Sequence, residues 1–568
     1  MLPSRYFSLG TIFFFALAAV LVFASAAFAQ NTGSPETQLT LGSPNTATAD
    51  PNVPRPNTKP CIVPLFSNFE FADFSLKAYQ YTPPADCPGP WAKIVFTADF
   101  NITAGRQFDR SAAVYLGHVN IYFGTTPEPS AGVARFWHVE RDLTDYSALF
   151  NNPQSGQIEL GNLVNSTYTG IIFGSGAVEL YPVHDHGDRA PLTPDAVYPF
   201  PDADGGAAVL KTTTSQLSRA ITFPPNVERA YFDVITESQS HDEFWYTCVP
   251  SDVTNELMNC GNTDFREAEI SIDGQAAGLA PVYPWIYTGG IDPFLWRPIP
   301  GVQALNFVPY RVDLSPFAGV LSNGQAHTIA VSIFNANQYF RATGVLLTFL
   351  DHGSQQITGA VTENSLSPAP TPVVTEHLTT DASGVISGTV GVTSSRSFEI
   401  SGFVNTAHGR VETEVKQIVD FSNQQQFTVS PVVYVQNITE STELHSKTTT
   451  RLDGFQFVRK DHFAFPLIVD FSENFASDGS FNQHTSIQQE FSRRTEGFDP
   501  RFSNSFSNVQ NKVQTTDNLL FNASGGLTGH TGQASSEDYH SFDHGRDYRC
   551  SIASATGILT SAKGDCVK

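Results

Sequence analysis

The sequence has few positively charged side chains and almost no methionine. It contains 32 Lys and Arg against 55 Asp and Glu, so the formal net charge is −23. This balance argues against nucleic acid or an anionic membrane as a partner. Only 15% of the residues are charged whereas 40% are hydrophobic, which excludes a disordered chain and indicates a globular one.

Several catalytic and cofactor motifs are also missing. The sequence contains no G-x-S-x-G elbow, no phosphate-binding loop and no dinucleotide fingerprint, and none of its six cysteines has C-x-x-C spacing. The stretch HDHGD (184–188) could coordinate a metal, but a polar turn is the favoured interpretation. We therefore expect neither a metal nor another cofactor.

A long apolar run occurs only near the N-terminus. Arg5 precedes the hydrophobic stretch from Ile12 to Phe23, and Ala27-Phe28-Ala29 fits a small-x-small cleavage pattern. This pattern predicts a signal peptide over residues 1–29. An uncleaved anchor is the alternative, although the run is short for a membrane span. We expect a protein that is secreted, or located in an acidic compartment of the secretory route, and free of the membrane after signal removal.

Export permits disulfide bonds and glycosylation. Several pairings of six cysteines are possible on paper. Closeness in sequence favours Cys61–Cys87, Cys248–Cys260 and Cys550–Cys566. Sequons for N-glycosylation occur at Asn101, Asn165, Asn437 and Asn522.

The residues that are abundant favour strands. The chain has 45 Phe, and Gly and Pro recur at short intervals. From Trp91 to Ile102, apolar and mostly polar residues alternate, which is typical of a half-buried strand. Residues 30–60 are rich in Thr, Asn, Pro and Ser and are interpreted as a flexible leader, and 361–374 as a linker. The chain is too long for one core and is predicted to be all-β, with several domains.

The stretch GRQFDRSAAVYL (105–116) begins with charge and ends as a strand. Alternation places Asp109 on the face opposite Val114 and Leu116, but it places Arg110 on their apolar face. Burying an unpaired guanidinium is costly. Either a bulge therefore redirects Arg110, or it pairs with a carboxylate. On the residues alone, a structural network of Arg and Asp is favoured over a catalytic site.

Two further stretches carry candidate residues. In HDEFWYTC (241–248), Glu243 is predicted to share a strand face with Trp245, a pairing that suits sugar binding; a charged strand end beside core aromatics is the alternative. In GGIDPFLWRPIPG (289–301), Arg297 lies in a loop shaped by Gly and Pro and could bind an oxygen or be structural.

Taken together and in order, these stretches resemble a known family. They are GRQFDRSAAVYL, GTTPEP (124–129), FWHVERDLTDYSALF (136–150), HDEFWY (241–246), REAEISIDGQ (266–275) and TGGIDPFLWRPIPGV (288–302). The sequence resembles the peptide N-glycosidase A family of secreted, acid-active amidases, from about residue 60 to 350. It is more distantly similar to bacterial peptide N-glycosidase F, whose Trp-Asp-Arg motif looks like Phe108-Asp109-Arg110 and whose Ala-Glu-Trp motif looks like Asp242-Glu243-Phe244-Trp245.

The resemblance implies a fold and a reaction. It implies two jelly-roll-like antiparallel β-sandwiches, at 61–205 and 206–360, followed by a β-rich C-terminal domain at 375–568. The reaction is hydrolysis of the amide between the innermost GlcNAc and Asn of an N-glycopeptide or N-glycoprotein. Asp109 and Glu243 are then catalytic, and the substrate-binding residues are Arg110, Glu128, Asp242, Trp245 and Arg297, with Glu128 as a replacement for a third glutamate that has no clear counterpart here.

Two other functions remain open at this stage. A glycosidase also uses two carboxylates but leaves GlcNAc on Asn. A glycan-binding sandwich without catalysis would release no sugar. Whether the chain is processed into two associated subunits is open as well.

Overall fold

The computed structural model describes residues 39–183, 190–500, 504–543 and 545–567. The predicted signal peptide and the HDHGD stretch lie outside these residues. The described chain is built almost entirely from antiparallel strands, and the prediction of an all-β fold is confirmed. Its two α-helices have one turn each: α1 (Thr254–Leu257) and α2 (Ala318–Leu321). Short 3₁₀ segments occur at Thr144–Asn151, Ser240–Asp242, Trp245–Thr247, Ser315–Phe317 and Asp565–Val567.

The first eight strands form two four-stranded sheets that share one hydrophobic core. The strands are β1 (Cys61–Phe71), β2 (Lys77–Tyr81), β3 (Trp91–Ile102), β4 (Ser111–Leu116), β5 (Val119–Thr125), β6 (Arg135–Asp142), β7 (Gln154–Glu159) and β8 (Ile172–Pro182). One sheet has the order β1-β8-β3-β6 and the other β2-β7-β4-β5. The alternation predicted a strand from Trp91 to Ile102, and β3 has these bounds, with Phe96 and Phe100 in the core.

The next nine strands also form two sheets. They are β9 (Ala196–Phe200), β10 (Ala208–Thr212), β11 (Gln216–Thr222), β12 (Val227–Ser238), β13 (Glu267–Ile272), β14 (Gln275–Pro281), β15 (Tyr310–Asp313), β16 (Ala326–Phe334) and β17 (Asn337–Leu350). One sheet has the order β10-β17-β12-β15, with β9 also paired to β17, and the other β11-β16-β13-β14. Asp273 and Gly274 turn β13 into β14 with positive φ values of 51° and 78°, as an Asp-Gly hairpin requires.

The remaining strands form a single sheet of eleven strands, called the long sheet here. They are β18 (Thr358–Asn364), β19 (Val373–Thr380), β20 (Ile386–Thr406), β21 (Gly409–Ser430), β22 (Val433–Leu452), β23 (Phe455–Phe475), β24 (Phe481–Phe498), β25 (Ser505–Phe521), β26 (Leu527–Asp543), β27 (Arg546–Ala555) and β28 (Ile558–Gly564). Strand β21 has 22 residues, about 70 Å of chain. Buried side chains of the long sheet belong to the same core cluster as those of the second sandwich.

Three predicted boundaries differ from the structure. Strand β9 pairs with β17, so residues 196–200 belong to the second sandwich and not to the first. Both ends of the predicted linker lie in strands, β18 and β19. The backbone of each strand is hydrogen-bonded to β20. Residues 39–60 have neither helix nor strand, but they are anchored and do not form a free leader. Ala49 is buried and donates its N–H to Glu537, and Arg55 pairs with Glu140 and Glu179.

Candidate active site

Asp109 lies in the irregular segment that precedes β4, since the strand begins only at Ser111. Its Oδ2 accepts a hydrogen bond from the backbone N–H of Gly289 at 3.0 Å. Its own N–H donates to Glu128 Oε2 at 2.7 Å. Burial raises the pKa of Asp109 above its usual value, while the Gly289 donor and the charge of Arg110 oppose that rise. The structure thus brings Asp109 and Glu128 together.

Arg110 avoids the apolar core because it precedes the strand. Its guanidinium donates to the side chain of Gln107, to the Asp109 carbonyl oxygen at 3.4 Å and to Asn162 Oδ1 at 3.5 Å. Within the described residues, no carboxylate lies within ion-pair distance of it. The predicted ion-pair network of Arg and Asp is therefore wrong, and amide and carbonyl oxygens hold Arg110 instead.

The stretch from Ser240 to Val249, called the Glu243 loop here, is not a strand. It contains two short 3₁₀ segments, and the shared strand face predicted for Glu243 and Trp245 does not exist. Trp245 is 1% exposed and packs against Phe421 of the long sheet, with ring centroids 6.4 Å apart. Its prediction as a sugar-binding residue is wrong because no surface of the ring reaches solvent.

Asp242 is also structural. It is fully buried and pairs with the equally buried Arg266 at 2.9 Å. Its second oxygen accepts the N–H of Asn337 at 2.6 Å. Both oxygens are occupied inside the protein, so the prediction that Asp242 binds substrate is wrong.

Glu243 lies between the buried Asp242 and Trp245 in the sequence, but its own side chain is partly exposed. Burial, followed by the charges of Asp109 and then Glu237, raises the pKa of its carboxyl to about 7. Charged neighbours can act in this way only at short range. The charge of Asp109 therefore acts on Glu243, although 134 positions separate the two residues in the sequence.

Glu128 and Arg297 form an ion pair next to Asp109. Arg297 belongs to the segment 284–302, called the Arg297 loop here, and its Nη2 lies 3.7 Å from Glu128 Oε1. The same guanidinium donates to the carbonyl oxygens of Glu128 at 3.3 Å and Pro129 at 3.0 Å. Burial, followed by the charge of Asp109, raises the pKa of Glu128 to about 7. Arg297 thus holds the segment that carries Glu128.

Glu237 completes this group and was missed by the sequence reasoning. It lies at the end of β12, fully buried. Its Oε1 accepts from Ser111 Oγ at 2.5 Å and from Gln239 Nε2 at 2.8 Å, and Arg341 lies 3.7 Å from Oε2. Burial raises the pKa of Glu237 to about 7. An acidic residue in the otherwise uncharged run VITES was the available signal. Asp109, Glu128, Glu237 and Glu243 are called the carboxylate cluster below.

An exposed aromatic side chain, Phe108, directly precedes Asp109 of the cluster. It is 41% exposed and contacts the ring of Tyr168, with centroids 5.2 Å apart. The guanidinium carbon of Arg106 lies 5.3 Å from the Tyr168 ring centroid. A face of Phe108 is therefore open to solvent next to Asp109, where Trp245 offers none.

The three predicted disulfides are confirmed. Cys61–Cys87, Cys248–Cys260 and Cys550–Cys566 are bonded, with Cα–Cα distances of 6.4, 4.7 and 5.5 Å. The second of these bonds ties Cys248, inside the Glu243 loop, to Cys260. Asn101, Asn165 and Asn522 are exposed and Asn437 is partly so, and their glycosylation stays a prediction.

Two groups of side chains in the described chain could hold an ion, and neither includes a member of the carboxylate cluster. One is Glu443, His445 and His462, and the other is Glu228, Asp351 and His408. Among the described residues there is no helix of the length and apolarity needed to cross a membrane.

The part of the chain that carries this site is similar to known amidases. The family described as peptide N-acetyl-beta-D-glucosaminyl asparaginase amidase A matches residues 53–365, which include the whole carboxylate cluster but little of the long sheet. The peptide-N4-(N-acetyl-beta-glucosaminyl)asparagine amidase A of Prunus dulcis is 30% identical over 389 residues, 65% of this chain and 67% of the almond protein.

Two solved structures are more distantly similar. Peptide N-glycosidase F, a glycosylasparaginase from Flavobacterium meningosepticum, is 14% identical with a TM-score of 0.34, covering 51% of this chain and 96% of that one. The structure of PNGF-II is 13% identical with a TM-score of 0.38, covering 52% of this chain and 66% of that one.

Proposed function

The chain belongs to the peptide N-acetyl-beta-D-glucosaminyl asparaginase amidase A family, and from this premise we propose that it hydrolyses the amide between GlcNAc and Asn in N-glycopeptides and N-glycoproteins. The products are a peptide with Asp at that position and a glycosylamine, which then loses ammonia. The observation that carries the proposal is the carboxylate cluster, in which Asp109 accepts the Gly289 N–H, binds Glu128 through its own N–H and acts by its charge on Glu243.

Asp109 is proposed as the base. Burial raises the pKa of Asp109, but the Gly289 N–H and the charge of Arg110 oppose this rise and favour the ionised form, which can position a water molecule and take its proton. That proton then passes to the departing nitrogen, so that the amine leaves neutral. A charged carboxylate held by a backbone donor keeps a fixed orientation toward the water.

Glu243 is proposed as the acid. With a pKa of about 7 it is protonated in mildly acidic solution, and its O–H can donate to the carbonyl oxygen as that oxygen becomes negative. Two carboxyl groups held in different protonation states are a common basis for acid and base assignments. The charge of Glu237 also raises the pKa of Glu243, and the charge of Asp109 raises that of Glu128.

The working pH follows from these directions. The rate should fall as pH drops through the pKa of Asp109, because the base becomes protonated. It should also fall as pH rises past about 7, because Glu243 loses its proton. We propose activity in the mildly acidic range between these limits. Together with the disulfides, this fits the predicted export to an extracellular or acidic secretory compartment.

Phe108 is proposed to line the sugar subsite, in place of Trp245. An exposed ring beside Asp109 can cover the apolar face of GlcNAc, and Arg110 and Arg297 can contact hydroxyl or carbonyl oxygens next to it.

The test is incubation with a defined N-glycopeptide in heavy-oxygen water, followed by mass analysis of the peptide. Conversion of the glycosylated Asn to Asp with one heavy oxygen is the expected result. A peptide that still carries one GlcNAc would instead identify a glycosidase, and an unchanged glycopeptide would contradict both reactions.

A further inference from the structure

Besides the apolar Phe421, the long sheet presents amide side chains toward the two loops of the active site. Five buried amides each donate a hydrogen bond to a backbone carbonyl oxygen of the Glu243 loop or the Arg297 loop. In the Glu243 loop, Asn423 binds Tyr246 O, Gln425 binds Cys248 O and Gln436 binds Thr247 O, each at 2.9 Å. In the Arg297 loop, Gln489 binds Pro284 O at 2.7 Å and Gln533 binds Arg297 O at 3.1 Å. A buried amide without a partner is unfavourable, so these residues have a defined place against the loops.

Gln489 differs from the other four because it holds both ends of one loop. Its Nε2 donates to Pro284 O, and its Oε1 accepts the N–H of Val302 at 2.9 Å. A primary amide offers a donor and an acceptor at a fixed separation, and here it uses one of each. The Arg297 loop is thereby closed at its base by one side chain of β24.

The closed loop carries the donor that orients the base. Gly289 lies five residues after Pro284, and its N–H binds Asp109 Oδ2 at 3.0 Å. Farther along the loop, Thr515 Oγ1 of β25 donates to Leu295 O at 2.9 Å, and Arg297 reaches the Glu128 segment. The position of the Gly289 N–H therefore depends on contacts made by the long sheet.

We propose that the long sheet positions the catalytic loops, with Gln489 as the positioning residue that sets the Gly289 donor against Asp109. The proposal rests on the proposed function for its kinetic consequences and on the contacts alone for its structural ones. Without the bridge, Pro284 O and Val302 N lose their buried partners and the loop base can open. A displacement of about 1 Å in a reacting geometry can cost as much as about 100-fold in rate.

The experiment compares the full chain with Gln489→Met, which keeps the length of the side chain and removes both hydrogen bonds. The matched control is Gln488→Met, one residue away on the partly exposed opposite face, where the amide only accepts from Gln514. We expect Gln489→Met to lower kcat about 10- to 100-fold. The acidic limb of its pH–rate profile should move to higher pH, because Asp109 loses the Gly289 donor that lowers its pKa. The charged groups coupled to this site, Arg110, Glu128 and Glu243, are unchanged in the variant.

Hydrogen exchange read by mass spectrometry provides a measurement independent of turnover. Backbone amides of residues 284–302 should exchange faster in Gln489→Met than in Gln488→Met, at a temperature where both are folded. A variant with a lower Tm but an unmoved acidic limb and unchanged exchange in this loop would overturn the proposal.

Two further outcomes are distinguishable. If Gln489→Met does not fold, Thr515→Val removes the separate contact to Leu295 O, and the same shift of the acidic limb and faster exchange are expected; their absence would overturn the proposal. If the native chain fails to convert Asn to Asp, the proposed function is wrong, and faster exchange in the loop still decides whether Gln489 positions it.

Discussion

The two segments that supply the catalytic pair have similar compositions and opposite arrangements. In the Asp109 segment the aromatic residue, Phe108, is open to solvent and the acid accepts a backbone N–H. In the Glu243 loop the aromatic residue, Trp245, is packed under the long sheet and the acid faces other carboxylates. An acidic residue close to an aromatic one in the sequence therefore does not by itself predict which side chain is open to substrate. What packs behind each segment decides which side chain meets substrate and which form of the acid is favoured.

The largest effect should come from Asp109→Asn. Removing the base while keeping the shape should reduce kcat by roughly 10²–10⁴-fold, with little change in Tm. Initial rates and thermal unfolding on the same purified variant check this. The exposed Asp86→Asn serves as the control and should change neither. Easy unfolding of Asp109→Asn with near-normal turnover in the folded fraction would contradict a catalytic role.

Glu243→Gln should have the next largest effect, about 10²-fold on kcat, because an amide N–H is a weaker donor to the developing oxyanion than a carboxylic O–H. Its pH profile sharpens the comparison with Asp109. The decline above about pH 7 should disappear, since the titrating group is gone, whereas the acidic limb should stay. A variant that keeps the alkaline decline would show that another group is responsible for it.

Asp242→Ala tests the neighbour of Glu243 that the structure assigns to stability. It leaves Arg266 buried without its carboxylate, which should cost about 3–5 kcal/mol of unfolding free energy. Chemical denaturation measures this loss, and kcat at a temperature where the variant is folded should be close to normal. Normal stability with a strongly reduced kcat would instead place Asp242 at the substrate.

The smallest effects are expected from the two aromatic residues, and in different measurements. Trp245→Phe should lower the free energy of unfolding, by less than the roughly 3–5 kcal/mol of a full truncation to Ala, and leave KM unchanged. Phe108→Ala should raise KM roughly 3- to 10-fold with Tm unchanged, because its ring is exposed. The reverse pattern would mean that the sugar contacts Trp245.

Regular periodicity made part of the fold predictable. The alternation from Trp91 to Ile102 anticipated β3 because a strand exposes and buries residues by turns. The same logic failed from His241 to Cys248, where no strand forms. There the ion pair of Asp242 with Arg266, the Cys248–Cys260 bond and the contact of Trp245 with Phe421 favour compact turns, and no local pattern carries those partners.

By itself, the sequence determined the β class, the three disulfide pairs and the identity of Asp109 and Glu243 as candidates, since these depend on local alternation, short spacing and ordered motifs. Only the tertiary structure decided that Glu237 joins them, that Phe108 and not Trp245 is open, and that Gln489 closes the Arg297 loop. The reason is range: Gln489 contacts Pro284 across 205 positions, and Ser111 contacts Glu237 across 126. Burial and charge at such contacts are set by the packed fold and are invisible in a stretch of residues.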